Sequence, residues 1–213
     1  MDKYINDPEA DLSTALVTLT DNGFCFIIQP EDRWGKKDNG DTLIPIGGVG
    51  GKLEKGETLE ECLKREALEE IGVNIEILEV GKQFLVIDPN QIVFESNNTE
   101  NNVTPLFVYR NPRSEKGRKP FTNVFVYLAK LNVKEIKLID NPAIIELEEN
   151  ILQQIISQEI TIEQALHQGG KVKSKINLPQ NGILLPLPTV KGIIKFLSVV
   201  SEDVKSKIKH ILS

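Results

Sequence analysis

Residues 12–20 read LSTALVTLT, rich in β-branched side chains, and residues 24–30 read FCFIIQP, with Asp21-Asn22-Gly23 between them. Two apolar runs around an Asn-Gly pair predict a β-hairpin. Residues 31–42 (EDRWGKKDNGDT) are polar and glycine-bearing, a loop; a short LIPI run then leads into the cluster Gly47-Gly48-Val49-Gly50-Gly51. Segment 57–71 (ETLEECLKREALEEI) has no Gly or Pro and consists mostly of strong helix formers. Leu59, Leu63 and Ala67 recur every four residues, with Leu68 and Ile71 widening the stripe. This predicts an amphipathic helix that Gly72 ends at the left-handed cap position.

Beyond Gly72, the runs VNIEILEVGKQFLVID, TPLFVYR and FTNVFVYLAKL predict strands from their β-branched and aromatic content. Polar stretches at 95–102 and 111–120 predict loops between them. From Asn141 the pattern NPAIIELEENILQQIIS predicts a helix with Pro142 in its first turn. TIEQALHQGG predicts another, capped by Thr161 and stopped at Gly169-Gly170. Residues 171–191 carry three prolines and keep no clean period, and an amphipathic pattern from about 190 to 212 closes the chain. Strands, a helix, more strands and then helices predict a mixed α/β domain over residues 1–155. A mainly helical C-terminal extension over 156–213, packed on the same domain, follows it.

Composition narrows the function classes. The apolar and charged fractions, 40% and 26%, are those of an ordinary globular chain. No apolar run approaches the roughly 20 residues of a membrane span, and MDKYINDPEADL lacks the pattern of a signal peptide. A soluble, cytoplasmic protein is expected. The net charge of −6 disfavours nucleic acid as a partner. Cys25 and Cys62 form no CxxC pair and no histidine stands near them, so they read as small core residues rather than zinc ligands. His167 and His210 occupy no recognisable nucleophile context.

The candidate chemistry lies in residues 50–73, GGKLEKGETLEECLKREALEEIGV. Ile46 and Leu53 break the Walker A pattern, and Leu53 also breaks the dinucleotide fingerprint. What remains is a glycine-rich turn feeding a helix whose C-terminal end gathers Glu66, Glu69 and Glu70. Like charges at i,i+3 and i,i+4 repel, and the helix dipole disfavours them at this end. A local penalty of that kind points to a functional site. An oxygen-rich cluster suits a hard divalent cation that also holds substrate phosphates. Arg65 can pair with Glu69 one turn on, or with Glu61 one turn back.

The full spacing, Gly51-x5-Glu57-x7-Arg65-Glu66-Ala67-Leu68-Glu69-Glu70-Ile71-Gly72-Val73, resembles the box of the Nudix hydrolases. The one departure is Ala67, small where that box carries a bulky aliphatic. The resemblance implies a Nudix-type α/β/α sandwich with a mixed sheet, a pyrophosphohydrolase that cleaves a diphosphate linked to a further moiety, and magnesium, or manganese, as cofactor. Carried over by position, Glu66, Glu69 and Glu70 with the Gly50 carbonyl would bind the metal. Arg65 and Glu57 would orient helix and loop, and Glu66 or Glu69 would position or deprotonate the attacking water. In this family the base sometimes lies outside the box, for which Glu146, Glu148 and Glu149 are candidates here.

A small nucleotide or nucleotide derivative is the implied substrate, and a homodimer is a possible assembly. Arg33 and Lys52 are candidate phosphate contacts. Trp34 could stack a base, although packing is the simpler role. Arg110, Arg113, Lys116, Arg118 and Lys119 form either a solvated loop or a phosphate-facing one. The alternative function is a catalytically idle Nudix-fold sensor or binding module. A box with every acidic position intact favours the enzyme.

Overall fold

The computed structural model describes residues 1–20, 23–79, 81–97, 103–114, 117–131 and 133–212. The predicted turn residues Asp21 and Asn22, the end of the 95–102 stretch and Lys116 lie outside them. In chain order the elements begin with α1 (Asp2–Ile5), β1 (Ala10–Thr20), β2 (Gly23–Ile28), β3 (Gly35–Lys36), β4 (Thr42–Gly47) and α2 (Leu59–Ile71). Then come β5 (Glu76–Leu78), β6 (Gln83–Asp88), β7 (Gln91–Ser96), β8 (Phe107–Pro112), β9 (Phe121–Lys130) and β10 (Ala143–Leu147). The chain closes with α3 (Glu149–Ser157), α4 (Ile162–His167), β11 (Lys171–Ser174), β12 (Ile183–Pro186), α5 (Pro188–Val199) and α6 (Glu202–Leu212).

The sheet is mixed, in the order β11-β10-β2-β1-β9-β8-β6-β7, with β4 joined to β2 and flanked by β3 and β12. At its centre β1 and β9 run parallel from Ala10 opposite Phe121 to Thr18 opposite Ala129. Over Ala15–Val17 and Val124–Ala129 both read as continuous apolar runs, because both of their faces are covered there. Phe125, Tyr127 and Ala129 pack with Leu59, Leu63, Ala67 and Ile71 of α2 on one face. Val124, Val126 and Leu128 pack on the other with Ile151 of α3 and with Ile193 and Phe196 of α5. The result is the helix–sheet–helix layering expected from the sequence. Among the described residues no helix is long and apolar enough to cross a membrane.

Several expectations are corrected. Residues 143–147 form strand β10, not the first turns of a helix, and Pro142 precedes it. This segment (AIIEL) sits between β2 and β11 with every residue buried, so tertiary pairing overrides its helical periodicity. Leu68 is 46% exposed, because it lies about 100° round the helix from Ala67; Cys62 completes the buried stripe in its place. Glu95 and Ser96 belong to β7, which forms a hairpin with β6, and Asn111 and Pro112 belong to β8. The final amphipathic pattern divides into α5 and α6, and residues 171–191 supply β11 and β12 as well as the start of α5. Both cysteines are buried and free.

Helix α2 starts two residues later than the Gly- and Pro-free segment 57–71 allows. Thr58 is the N-cap and forms a reciprocal capping box with Glu61, which leaves Glu57 outside the helix. Gly72 ends it in the left-handed conformation, and Lys137 and Ile139 donate backbone hydrogen bonds to the carbonyls of Ile71 and Glu70. Helix α5 approaches β8 closely at Gly192, where a Cβ would stand 2.4 Å from the Phe107 ring. That ring stacks on Phe196 and cannot easily retreat. Gly192→Val should therefore cost about 1–3 kcal/mol by overpacking and lower the Tm by several degrees; a melting temperature equal to the parent's would refute this docking.

Candidate active site

After β4 the chain crosses β1. Leu16 N donates to the Val49 carbonyl at 2.7 Å, and Thr14 N donates to the Gly51 carbonyl at 2.9 Å. This approach demands glycine twice. Gly50 has φ of 152°, and a Cβ there would lie 2.1 Å from the Thr14 carbonyl oxygen. A Cβ on Gly51 would lie 2.0 Å from Glu66 Oε1. The Glu66 carboxylate is thus laid directly on the Gly51 backbone, while Gly50 N donates to Glu70 Oε2 at 2.9 Å.

Arg65 ties the helix to the loop. Its Nε and Nη2 donate to the two oxygens of Glu57 at 2.8 and 3.1 Å, and Nη2 also reaches the Lys52 carbonyl at 3.3 Å. Its Nη1 donates to Glu66 at 2.8 Å and Glu69 at 3.0 Å. Of its two expected partners, Glu69 is therefore used, whereas Glu61 serves the capping box. The guanidinium holds the Glu57 carboxyl down to about 2. Burial pushes the Glu70 carboxyl up to about 7, offset in part by the Gly50 N–H and by the nearby Arg33 cation.

The three box glutamates converge only in part. Glu66 and Glu70 flank the Gly50-Gly51 pair, whereas the Glu69 side chain is 52% exposed and turned to Arg65. Among the described residues no three carboxylate, histidine or cysteine side chains form a ready-made metal cage. The donor set still fits a hard cation. It is all oxygen, and Glu66 Oε2 and Glu69 Oε1 accept no hydrogen bond from the described residues. One or two carboxylates, with water and substrate phosphate completing the shell, is what magnesium usually takes.

Beside Gly50 and Glu70 opens a cleft of about 340 Å³. Ser13 and Ala15 of β1, Thr122 and Val124 of β9 and Asn111 of β8 form part of its lining; Gln29, Arg33 and Arg113 add polar groups. Leu187, Pro188 and Thr189, at the entry to α5, complete it. Arg33 thus reaches the cleft, where its Nη1 donates to Gln29 Oε1 at 2.7 Å. Lys52 does not line it; its Nζ pairs with Asp11 at 3.3 Å. Trp34 donates to the Gln29 carbonyl and packs against the core, outside the lining.

The basic segment divides. Arg110 is taken up by Asp7, Asp88 and the face of Phe121, and Lys119 by the Ala10 carbonyl, whereas Arg113 lines the cleft. Glu146 accepts from Thr20, Glu148 stands at the N-cap position of α3 without a side-chain cap bond, Glu149 pairs with Lys205, and none of the three lines the cleft. Thr122, Gln29 and the 187–189 segment carried no signal in the sequence. They are ordinary polar or apolar residues far apart in the chain, and only the β1–β9–β8 register and the return of α5 bring them together.

The NUDIX domain family model matches residues 11–146. Among solved structures, the chain is similar to the E. coli ORF135 protein, at 16% identity over 68% of this chain and 78% of that one, with a TM-score of 0.42. It is also similar to a MutT protein from Methanosarcina mazei Go1, at 17% identity over 70% and 83% of the two chains, with a TM-score of 0.41. The E. coli dihydroneopterin triphosphate pyrophosphohydrolase is similar at 13% identity over 68% and 86%, with a TM-score of 0.41. No curated protein matches this sequence. With every acidic position of the box in place on a helix docked on its glycine loop, and the family match spanning well over half its length, the chain belongs to the Nudix family of pyrophosphohydrolases.

Proposed function

We propose that this chain is a magnesium-dependent hydrolase, with manganese as a substitute, that cleaves the diphosphate linkage of a small nucleotide or nucleoside diphosphate derivative by attack of water on phosphorus. The observation that carries this reading is the seating of Glu66 and Glu70 on consecutive glycines at the mouth of a polar cleft, with Arg33 close by. Glu66, Glu69, Glu70 and the Gly50 carbonyl are the residues that would hold the cation. When bound, it supplies charge neutralisation on the phosphates and a water of lowered pKa.

The chain's own residues do the rest. Arg65, fixed by Glu57, keeps Glu66 and Glu69 in place. Arg33, near Glu70, faces the substrate phosphates, and Lys52 acts from outside the lining, through its pairing with Asp11. Glu66 or Glu69 receives the proton of the attacking water, since each keeps one oxygen without a partner among the described residues.

Glu66→Gln should lower magnesium-dependent release of phosphate or pyrophosphate from a panel of nucleotides by about 100-fold or more, with an unchanged circular dichroism spectrum. Turnover equal to the parent's would remove the mechanism. A parent that binds a nucleotide but hydrolyses none would establish the binding-module alternative instead.

The raised Glu70 carboxyl yields a second expectation. A carboxyl whose folded-state pKa lies above its unfolded value destabilises the fold progressively as pH rises from about 4.5 to about 7. In EDTA, the parent should therefore lose stability relative to Glu70→Gln across that window, as read by thermal melts at successive pH values. Parallel curves would show that Glu70 is not buried in this way.

A further inference from the structure

The cleft has a second charged pole that the box does not use. Gly50 lies against Ala15, and Asp11 stands four residues earlier on β1. At about 3.3 Å per residue the two ends are roughly 13 Å apart. At the Asp11 end, Arg113 Nη1 donates to Asp11 at 2.7 Å and Lys52 Nζ approaches the same carboxylate at 3.3 Å. Two cations share one anion, so the pole keeps a net positive charge. The Arg113 side chain is only 16% exposed, and its Nε and Nη2 meet no acceptor among the described residues.

The floor below is polar too. Thr122, opposite Asp11 on β9, is 5% exposed, and its hydroxyl has no hydrogen-bond partner among the described residues. Asn111 is the next residue across, on β8. Among the described residues lining the cleft there is no aromatic ring on which a base could stack. The groups offered at this pole are therefore mainly donors and positive charge, and what they recognise is an acceptor-rich anion.

We infer that the Arg113 pole is an anion subsite, and that the preferred substrate is a diphosphate bearing a further phosphate or carboxylate on the order of 10 Å from the bond that is cleaved. This rests on the hydrolytic reading of the box end and narrows it to a substrate class. A diphosphate held by Glu66, Glu70 and Arg33 is too short to reach Arg113 itself, so the second anion is a separate group on the same molecule. Asp11 restrains the subsite by neutralising part of its charge.

The test uses two diphosphates that differ by one phosphate, NADP+ and NAD+. With magnesium, the parent should favour NADP+ by about tenfold or more in kcat/KM, carried by KM. Arg113→Gln should bring that ratio close to one, and Asp11→Asn should raise it above the parent's. A purely structural clip between β8 and β1 would instead make both variants fall together.

Should Arg113→Gln fail to fold, Lys52→Gln reads the same subsite and should lower the ratio in the same direction. Titration of both dinucleotides in EDTA, followed by thermal shift, reads the subsite without turnover and must show the same order. Hydrolysis of both compounds at equal kcat/KM overturns the subsite and leaves the hydrolytic reading standing. Preferential NADP+ binding in EDTA without hydrolysis in magnesium does the reverse.

Discussion

The site depends on a carboxylate lying where a side chain would otherwise be. Glu66 occupies the space of a Cβ on Gly51, and the neighbouring amide of Gly50 holds Glu70, so helix α2 and the loop before it approach to backbone contact. Nothing else in the helix favours this. Three glutamates at its C-terminal end repel one another and oppose the helix dipole. Arg65 resolves the conflict by donating to Glu57, Glu66 and Glu69 at once. A lysine could offset the charge but could not span three carboxylates with a planar fork.

Strand β1 transmits this local geometry to the substrate side. Backbone amides of Thr14 and Leu16 bond the glycine loop, while the side chains of Ser13 and Ala15 line the cleft. The same strand is paired along nine residues to β9 and is buried on both faces, so the loop and the cleft floor are fixed by one rigid element. Its first residues also carry the charge arrangement at the far pole, through Asp11. A single strand therefore sets the distance between the glycine loop that seats the box glutamates and the Arg113 pole.

How much of this was legible in the chain follows the range of the forces involved. Helix α2, its stop at Gly72 and the glutamates on its end could be read because propensity, capping and spacing are local. The Arg65–Glu69 pair was legible for the same reason, whereas its bond to Glu57 needed the loop to fold back. Strand β10 was misread because Ile144, Ile145 and Leu147 are equally apolar in a helix or a doubly covered strand, and only pairing with β2 and β11 decides between them. Leu68 was misread because a stripe has an edge, and the sequence does not say where the sheet ends beneath it. Arg110 and Arg113, three residues apart in one basic run, received opposite fates from the sheet: one sealed under Asp7 and Phe121, the other open to the cleft.

The same reasoning separates what the family match carries from what it leaves to this chain. The match ends at residue 146, yet Leu187, Pro188 and Thr189 help to line the cleft, and Thr189 presses its methyl toward Gly48 beside the box loop. Gly192 then seats α5 on Phe107, so this wall is held by core packing rather than by a free loop. A wall built from residues outside the family pattern can change shape without disturbing Glu66, Glu70 or Arg65. The box glutamates stand on α2 and this wall stands at the entry to α5, so the shape of the cleft can vary independently of the box.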